Sequence, residues 1–127
     1  MIVAGIGCKR GTLAEDIVGL ILAVLSTHDI AREKLDAIAT EAAKAEERGI
    51  ESAARSLSVA LIRCPIADLE RVADEVATRS LRVQALKGVP SIAEASALVA
   101  AGRHARLLGA RVASDKVTCA IAIGEGP

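Results

Sequence analysis

Gly5-Ile6-Gly7-Cys8-Lys9-Arg10-Gly11-Thr12 is the stretch around which the rest of the chain is organised. It follows the apolar run Ile2-Val3-Ala4 and leads into a long apolar segment from Leu13. That order reads as strand, glycine-rich turn, helix. Glycines let a backbone approach a ligand or take positive φ without a Cβ penalty. Thr12 followed by Glu15 has the spacing of a capping box, which predicts Thr12 as the N-cap of the first helix. A helix N-terminus offers unbonded N–H groups and positive partial charge, and Lys9 and Arg10 add two full charges. The turn suits an anionic partner, although the same glycines could do no more than shape a β–α connection. It is not a dinucleotide fingerprint, because Arg10 stands where the third glycine belongs, nor a P-loop, because Thr12 follows Gly11 with no lysine between.

Composition narrows the field. A chain of 127 residues is read as one domain, 1–127, long enough for a real core. It is 52% apolar yet has no Phe, Tyr or Trp, so the core must be Leu, Ile, Val and closely packed Ala. Without aromatic rings there is no platform for stacking bases, and a net charge of zero offers no nucleic-acid surface. Cys8, Cys64 and Cys119 lack the spacing of a metal motif, and an odd cysteine count fits a reducing compartment. No signal peptide is evident, and the apolar stretch Ile17 to Leu25 is too short to span a bilayer. A cytoplasmic protein without membrane or nucleic-acid partners is expected.

Along the chain, Ile2 to Ile6 reads as the first strand and Leu13 to Ser26 as a well-buried helix, ended by Thr27-His28-Asp29. From Ala31 to Ser58 two readings compete. Propensity makes Ala31 to Glu47 one helix, and helix again from Ile50 to Leu57. A doubly wound fold instead needs a strand near Leu35 to Thr40 and a loop from Glu41 to Arg48. The pattern alone does not decide. Val59 to Arg63 is a short strand stopped by Cys64-Pro65, and Ala67 to Val76 is a helix. Thr78 to Lys87 reads as irregular or frayed helix. Gly88-Val89-Pro90-Ser91 then repeats the opening logic, with Ser91 and Glu94 as a second capping box and Gly102 closing the helix Ile92 to Ala101. Ala105 to Val112 and Val117 to Ile123 are the last strands, joined as an antiparallel hairpin through Ala113, Ser114 and Asp115. Val117, Cys119, Ile121 and Ile123 share one face of the final strand, and the small Thr118, Ala120 and Ala122 make a face suited to close helix packing.

With these residues laid out, the chain resembles one family over nearly its whole length, that of the cobalamin-biosynthesis protein CobE and the C-terminal domain of CbiG. Three blocks carry the resemblance: Gly5-Ile6-Gly7-Cys8-Lys9-Arg10-Gly11, Gly88-Val89-Pro90-Ser91-Ile92-Ala93-Glu94-Ala95 and Lys116-Val117-Thr118-Cys119-Ala120-Ile121-Ala122. A fourth, Lys44-Ala45-Glu46-Glu47-Arg48-Gly49, departs from the family pattern in having Arg48 where proline is common. The resemblance implies a three-layer α/β/α fold with a mixed sheet of about five strands, and hence a strand before Lys44. It also implies work on the corrin ring. CbiG is understood to open a lactone on a cobalt-corrinoid and release acetaldehyde, whereas no chemical step is assigned to the stand-alone CobE form.

A precorrin or corrinoid carries acetate and propionate carboxylates around an apolar macrocycle, so it calls for separated cationic and N–H anchors around a cleft. Gly7, Cys8, Lys9, Arg10, Gly11, Lys44 and Ser91 are the expected ligand-binding residues, with Lys87, Arg111 and Lys116 behind them. The expected role is a carrier or accessory protein that holds the intermediate, with no cofactor of its own, no metal site, and other pathway enzymes as partners. An enzyme of hydrolase type is the alternative, with Cys8, Glu46 or Glu47 taking part. Cys8 lies beside two cations near a helix start, a setting that activates thiols, but a cysteine nucleophile needs a base, and only His28 and His104 are available. A third reading is an assembly subunit, a homodimer formed through the first helix or the final strand.

Overall fold

The first strand, β1 (Ile2–Cys8), lies in the middle of a mixed sheet. In the computed structural model, which describes residues 1–43, 47–77 and 92–127, it pairs in parallel with β2 (Ala37–Glu41), which pairs in parallel with β3 (Ala60–Cys64). On its other side the last strand runs antiparallel to it along its full length, from Ile2 opposite Ile123 to Cys8 opposite Val117. Two short segments complete the sheet, β4 (Arg106–Leu107) and β5 (Val112–Ala113), both antiparallel to that last strand, β6 (Val117–Ile123). The order is β3-β2-β1-β6-β4, with β5 also on β6.

Four helices among the described residues cover the two faces: α1 (Ala14–Thr27) and α2 (Arg48–Leu57) on one, α3 (Ile66–Ala77) and α4 (Ile92–Ala101) on the other. The three-layer α/β/α fold expected from the sequence is therefore present. β2 is the strand that helical propensity concealed. Ala37, Ile38, Ala39 and Thr40 are all fully buried, because a parallel strand covered on both faces has no polar alternation to display.

The two layers differ in grain. Toward α1 and α2 the sheet presents Ala4, Ile6, Ile38, Val117, Cys119 and Ile121, which meet Ile17, Ile21, Val24 and Leu25 of α1 and Ile50 of α2. Each such large side chain, fully buried, contributes roughly 1.5–3 kcal/mol. Toward α4 the sheet presents Val3, Ala37, Ala39 and Ala122 against Ala95, Ala97, Ala100 and Ala101. Small residues on both sides bring that helix very near the backbone. A Cβ at Gly5 would collide with the Ala93 carbonyl oxygen and sit 2.7 Å from the Ala97 nitrogen. Gly5 is thus a packing glycine, and the small-side-chain face read along β6 does receive a helix.

Three local expectations are corrected. β1 runs two residues beyond Ile6, so Gly7 and Cys8 belong to the strand and the turn is confined to Lys9–Thr12. Thr12 does not cap α1: the N-cap position is Leu13, without a side-chain cap bond. Thr12 is instead buried, and its Oγ1 donates to the Lys9 carbonyl at 2.6 Å, because the turn folds it back on itself before the helix begins. The strand expected from Ala105 to Val112 is interrupted between Leu107 and Val112. Four residues there face only Ala120 and Ile121 on β6, so the edge bulges and resumes as β5. The hairpin of β5 and β6 remains, closed by the Ser114 amide donating to Val117 O at 2.8 Å. The second capping box, with Ser91, and the expected irregular helix from Thr78 to Lys87 lie outside the described residues.

Candidate functional site

β1 and β2 are adjacent and parallel, so their carboxyl ends open side by side and the segments leaving them begin α1 and α2. Open α/β sheets place their ligand crevices at that end. The turn after β1 is held by its backbone. The Thr12 amide donates to Lys9 O at 3.2 Å, and Gly11 takes φ +80°, the positive φ that a type II turn requires at its third residue. The Lys9 amide donates to Lys116 O at 3.0 Å, tying the turn to the start of β6. On the neighbouring segment, a Cβ at Gly49 would overlap the Thr12 carbonyl oxygen, so α2 starts in backbone contact with this turn.

Between the two lies an open cleft of about 550 Å³, lined at its core by Arg10, Gly11, Leu13, Glu47, Arg48 and Ser52. Both helix starts contribute to its walls. In α1 the amides of Asp16 and Ile17 donate to Leu13 O, and in α2 those of Ile50 and Glu51 donate to Glu47 O. The amides before them, Ala14 and Glu15, Arg48 and Gly49, have no acceptor within their helices. Positive partial charge therefore collects at the cleft from two directions and is reinforced by two guanidinium groups. Among the described residues one carboxylate is also present: Glu47 Oε2 accepts from the Gly11 amide at 3.4 Å. Leu13 is 57% exposed and supplies an apolar lip.

The expected binding residues distribute unevenly around this cleft. Arg10 and Gly11 line it. Lys9 is exposed on the turn and is not part of the lining. Gly7 and Cys8 are half-buried strand residues just behind it, with the Cys8 side chain on the α1 face. Lys44, Glu46, Lys87 and Ser91 lie outside the described residues. Arg111 is engaged elsewhere, its amide donating to Glu94 Oε2 at 3.3 Å and its guanidinium 3.8 Å from Glu94 Oε1. Lys116 lies beside the acidic Glu15, Asp16 and Asp115, along a separate groove. Arg48 and Ser52 were not anticipated. The signal for Arg48 was its substitution for the family's proline, which put a cation at the first residue of α2.

Neither histidine reaches Cys8. His28 follows the far end of α1, about 21 Å along a 14-residue helix. His104 precedes β4, which pairs with Ile123, and Ile123 pairs with Ile2, six residues or about 20 Å from Cys8 along the sheet. His104 instead contacts Glu125 at 2.9 Å. The other two thiols are inert by burial. Cys64 is pushed up to about 11, by desolvation and then by Asp68, and Cys119 is pushed up to about 12 by desolvation.

Comparison with known proteins gives this geometry a context. The profile of the family described as "Cobalamin synthesis G C-terminus" matches residues 2–122. The chain belongs to that family. It is 36% identical over 121 residues to Protein CobE from Sinorhizobium sp, a match spanning 95% of this chain and 79% of that protein. Among solved structures, CobE from the cobalamin biosynthetic pathway superposes with a TM-score of 0.80 at 32% identity, over 96% of this chain and 92% of the other. The cobalamin biosynthesis protein chiG from Agrobacterium tumefaciens str. C58 does so with a TM-score of 0.81 at 38% identity, over 98% and 99%. A cobalamin biosynthesis protein G homolog from Sulfolobus solfataricus gives 0.74 at 28% identity, where 99% of this chain covers 37% of that one. The chain is thus a CobE-like member of the family, with cobalamin biosynthesis as its context. Among the described residues no helix is long and apolar enough to cross a membrane.

Proposed function

We propose that the chain binds a corrinoid or precorrin intermediate of cobalamin biosynthesis in the cleft between the Lys9–Thr12 turn and the start of α2, as a carrier or accessory protein. The observation that carries this reading is the convergence of Arg10, Arg48 and two helix N-termini on one open cleft of about 550 Å³. Peripheral carboxylates of the macrocycle meet the guanidinium and amide groups, and an edge of the ring rests on Leu13. A cleft of this size takes one side of such a ligand and leaves the rest accessible, as hand-over to a pathway enzyme requires. The corrinoid is the cargo, and no further cofactor enters this reading. The cysteines remain thiols, which fits the reducing cytoplasm. Catalysis through Cys8 is disfavoured because both histidines lie at the opposite end of the sheet.

The test is a visible-absorbance titration with hydrogenobyrinic acid, run on the wild type and on Arg10→Ala and Arg48→Ala. Each substitution should weaken binding by about 10-fold, the loss of a charge-assisted contact. The pigment should be recovered unchanged. Affinity indifferent to both arginines would refute the assignment of this cleft, and product formation that needs Cys8 would replace the carrier role with an enzymatic one.

A further inference from the structure

We infer that Glu47 is an internal competitor for the cleft, a carboxylate of the chain itself that occupies the place of a ligand carboxylate and must be displaced for binding. The inference rests on the reading of this cleft as the corrinoid site and concerns how that site selects its ligand.

Glu47 stands at the N-cap position of α2 with extended backbone, φ −64° and ψ 126°, yet makes no side-chain cap bond to its own helix. Its carboxylate crosses to the opposite wall and accepts from the Gly11 amide. At 3.4 Å this bond is at the long end of the hydrogen-bond range and easily exchanged. Arg10 and Arg48 line the same cleft, and among the described residues neither is held in an ion pair. Among the described residues one carboxylate thus shares the cleft with two guanidinium groups that it does not pair with, which leaves both cations to a carboxylate-bearing ligand that takes the Gly11 amide.

Displacement sets a cost common to every ligand, and the arginines decide which ligand recovers it. A ligand with a carboxylate at that position takes over the Gly11 amide and gains both arginines, which offsets the loss of Glu47. A ligand with a neutral amide there must move Glu47 without gaining the arginine contacts. The class favoured is a macrocycle bearing several free carboxylates, over its amidated counterparts.

The experiment compares wild-type protein with Glu47→Gln in titrations with the polycarboxylate cobyrinic acid and with amidated cyanocobalamin, beside Arg10→Ala and Arg48→Ala. Glutamine keeps an acceptor for the Gly11 amide and removes only the charge, and an unchanged melting curve confirms that the fold is intact. Glu47→Gln is expected to tighten cobyrinic acid and cyanocobalamin binding alike, each by about 5-fold, the upper end for one exposed charge pair, because both must move the same carboxylate. If the arginine variants lose affinity while Glu47→Gln binds cobyrinic acid equally or more weakly, the cleft stands and the competitor role falls. If the arginine variants also bind as the wild type does, the cleft assignment itself falls, and this inference with it.

Discussion

A side chain at Gly49 would overlap the carbonyl oxygen of Thr12, so the second helix begins in direct backbone contact with the turn that follows the first strand. The contact sets the width of the cleft, because nothing softer than main chain separates its two walls. Gly49→Ala sets a gain in helix propensity of about 1 kcal/mol against this collision. The collision should prevail. We expect a net destabilisation of about 1–3 kcal/mol in denaturant unfolding, together with weaker corrinoid binding as the walls are forced apart.

Gly5 and Gly7 lie on the same face of β1 but answer to different neighbours. A Cβ at Gly5 meets the α4 backbone, whereas one at Gly7 finds, among the described residues, only the Ile92 Cβ at 3.9 Å, an ordinary contact. Gly5→Ala should cost about 3 kcal/mol or prevent folding, and Gly7→Ala should stay within about 0.5–1 kcal/mol of the wild type. A Gly7→Ala protein that melted as low as Gly5→Ala would contradict this packing.

The three thiols should separate by reactivity. Cys64 and Cys119 are buried, and their burial keeps them protonated well above the usual thiol range, to about 11 and about 12. A maleimide at neutral pH should modify Cys8 alone in the folded protein and all three cysteines in denaturant. A pH dependence follows. Between the ordinary thiol value and these raised values the folded chain holds protons that the unfolded chain has released, so stability falls as pH rises. Loss should begin near pH 9 and continue to about 11 and 12, and be reduced in Cys119→Ala. Urea midpoints measured from pH 8 upward would show it.

Leu13 is 57% exposed and lines the cleft, so it contributes little to the core. Leu13→Ala should leave the melting temperature within about 2 °C. It should weaken corrinoid binding by several-fold, about 1–2 kcal/mol of lost apolar contact. Equal affinity for wild type and variant in the absorbance titration would mean that the macrocycle does not rest there.

Much of this architecture is legible in the sequence. The order strand, turn, helix around Gly5–Gly11 is local, and the two faces of β6 follow from strict alternation of large and small residues. What escaped was decided by distant partners. The strand before Lys44 is expected from the family resemblance and not from local pattern: Ala37–Glu41 has helix-forming neighbours on both sides and becomes a strand because β1 and β3 flank it. Thr12 has the spacing of a cap, but the turn claims its hydroxyl for Lys9 O. The interruption of the edge at Leu108–Arg111 goes with the hold of Glu94 on the Arg111 amide, a contact from another element that the local pattern does not show. Within the site, Arg10 and Gly11 were legible from the turn itself. Arg48 was not, because its importance comes from Gly49 pressing the start of α2 against Thr12.

The bond from the Lys9 amide to Lys116 O has a consequence for the order of events during synthesis. β1 leaves the ribosome well before β6 and sits mid-sheet with one side open until residues 117–123 have emerged and zipped along it. Pairings of such long sequence separation form late and slowly. A nascent chain stopped before Val117 therefore has the glycine turn and both arginines but not the anchored loop. On the proposed function, the grip on the ligand is complete only when the last strand has been made and paired.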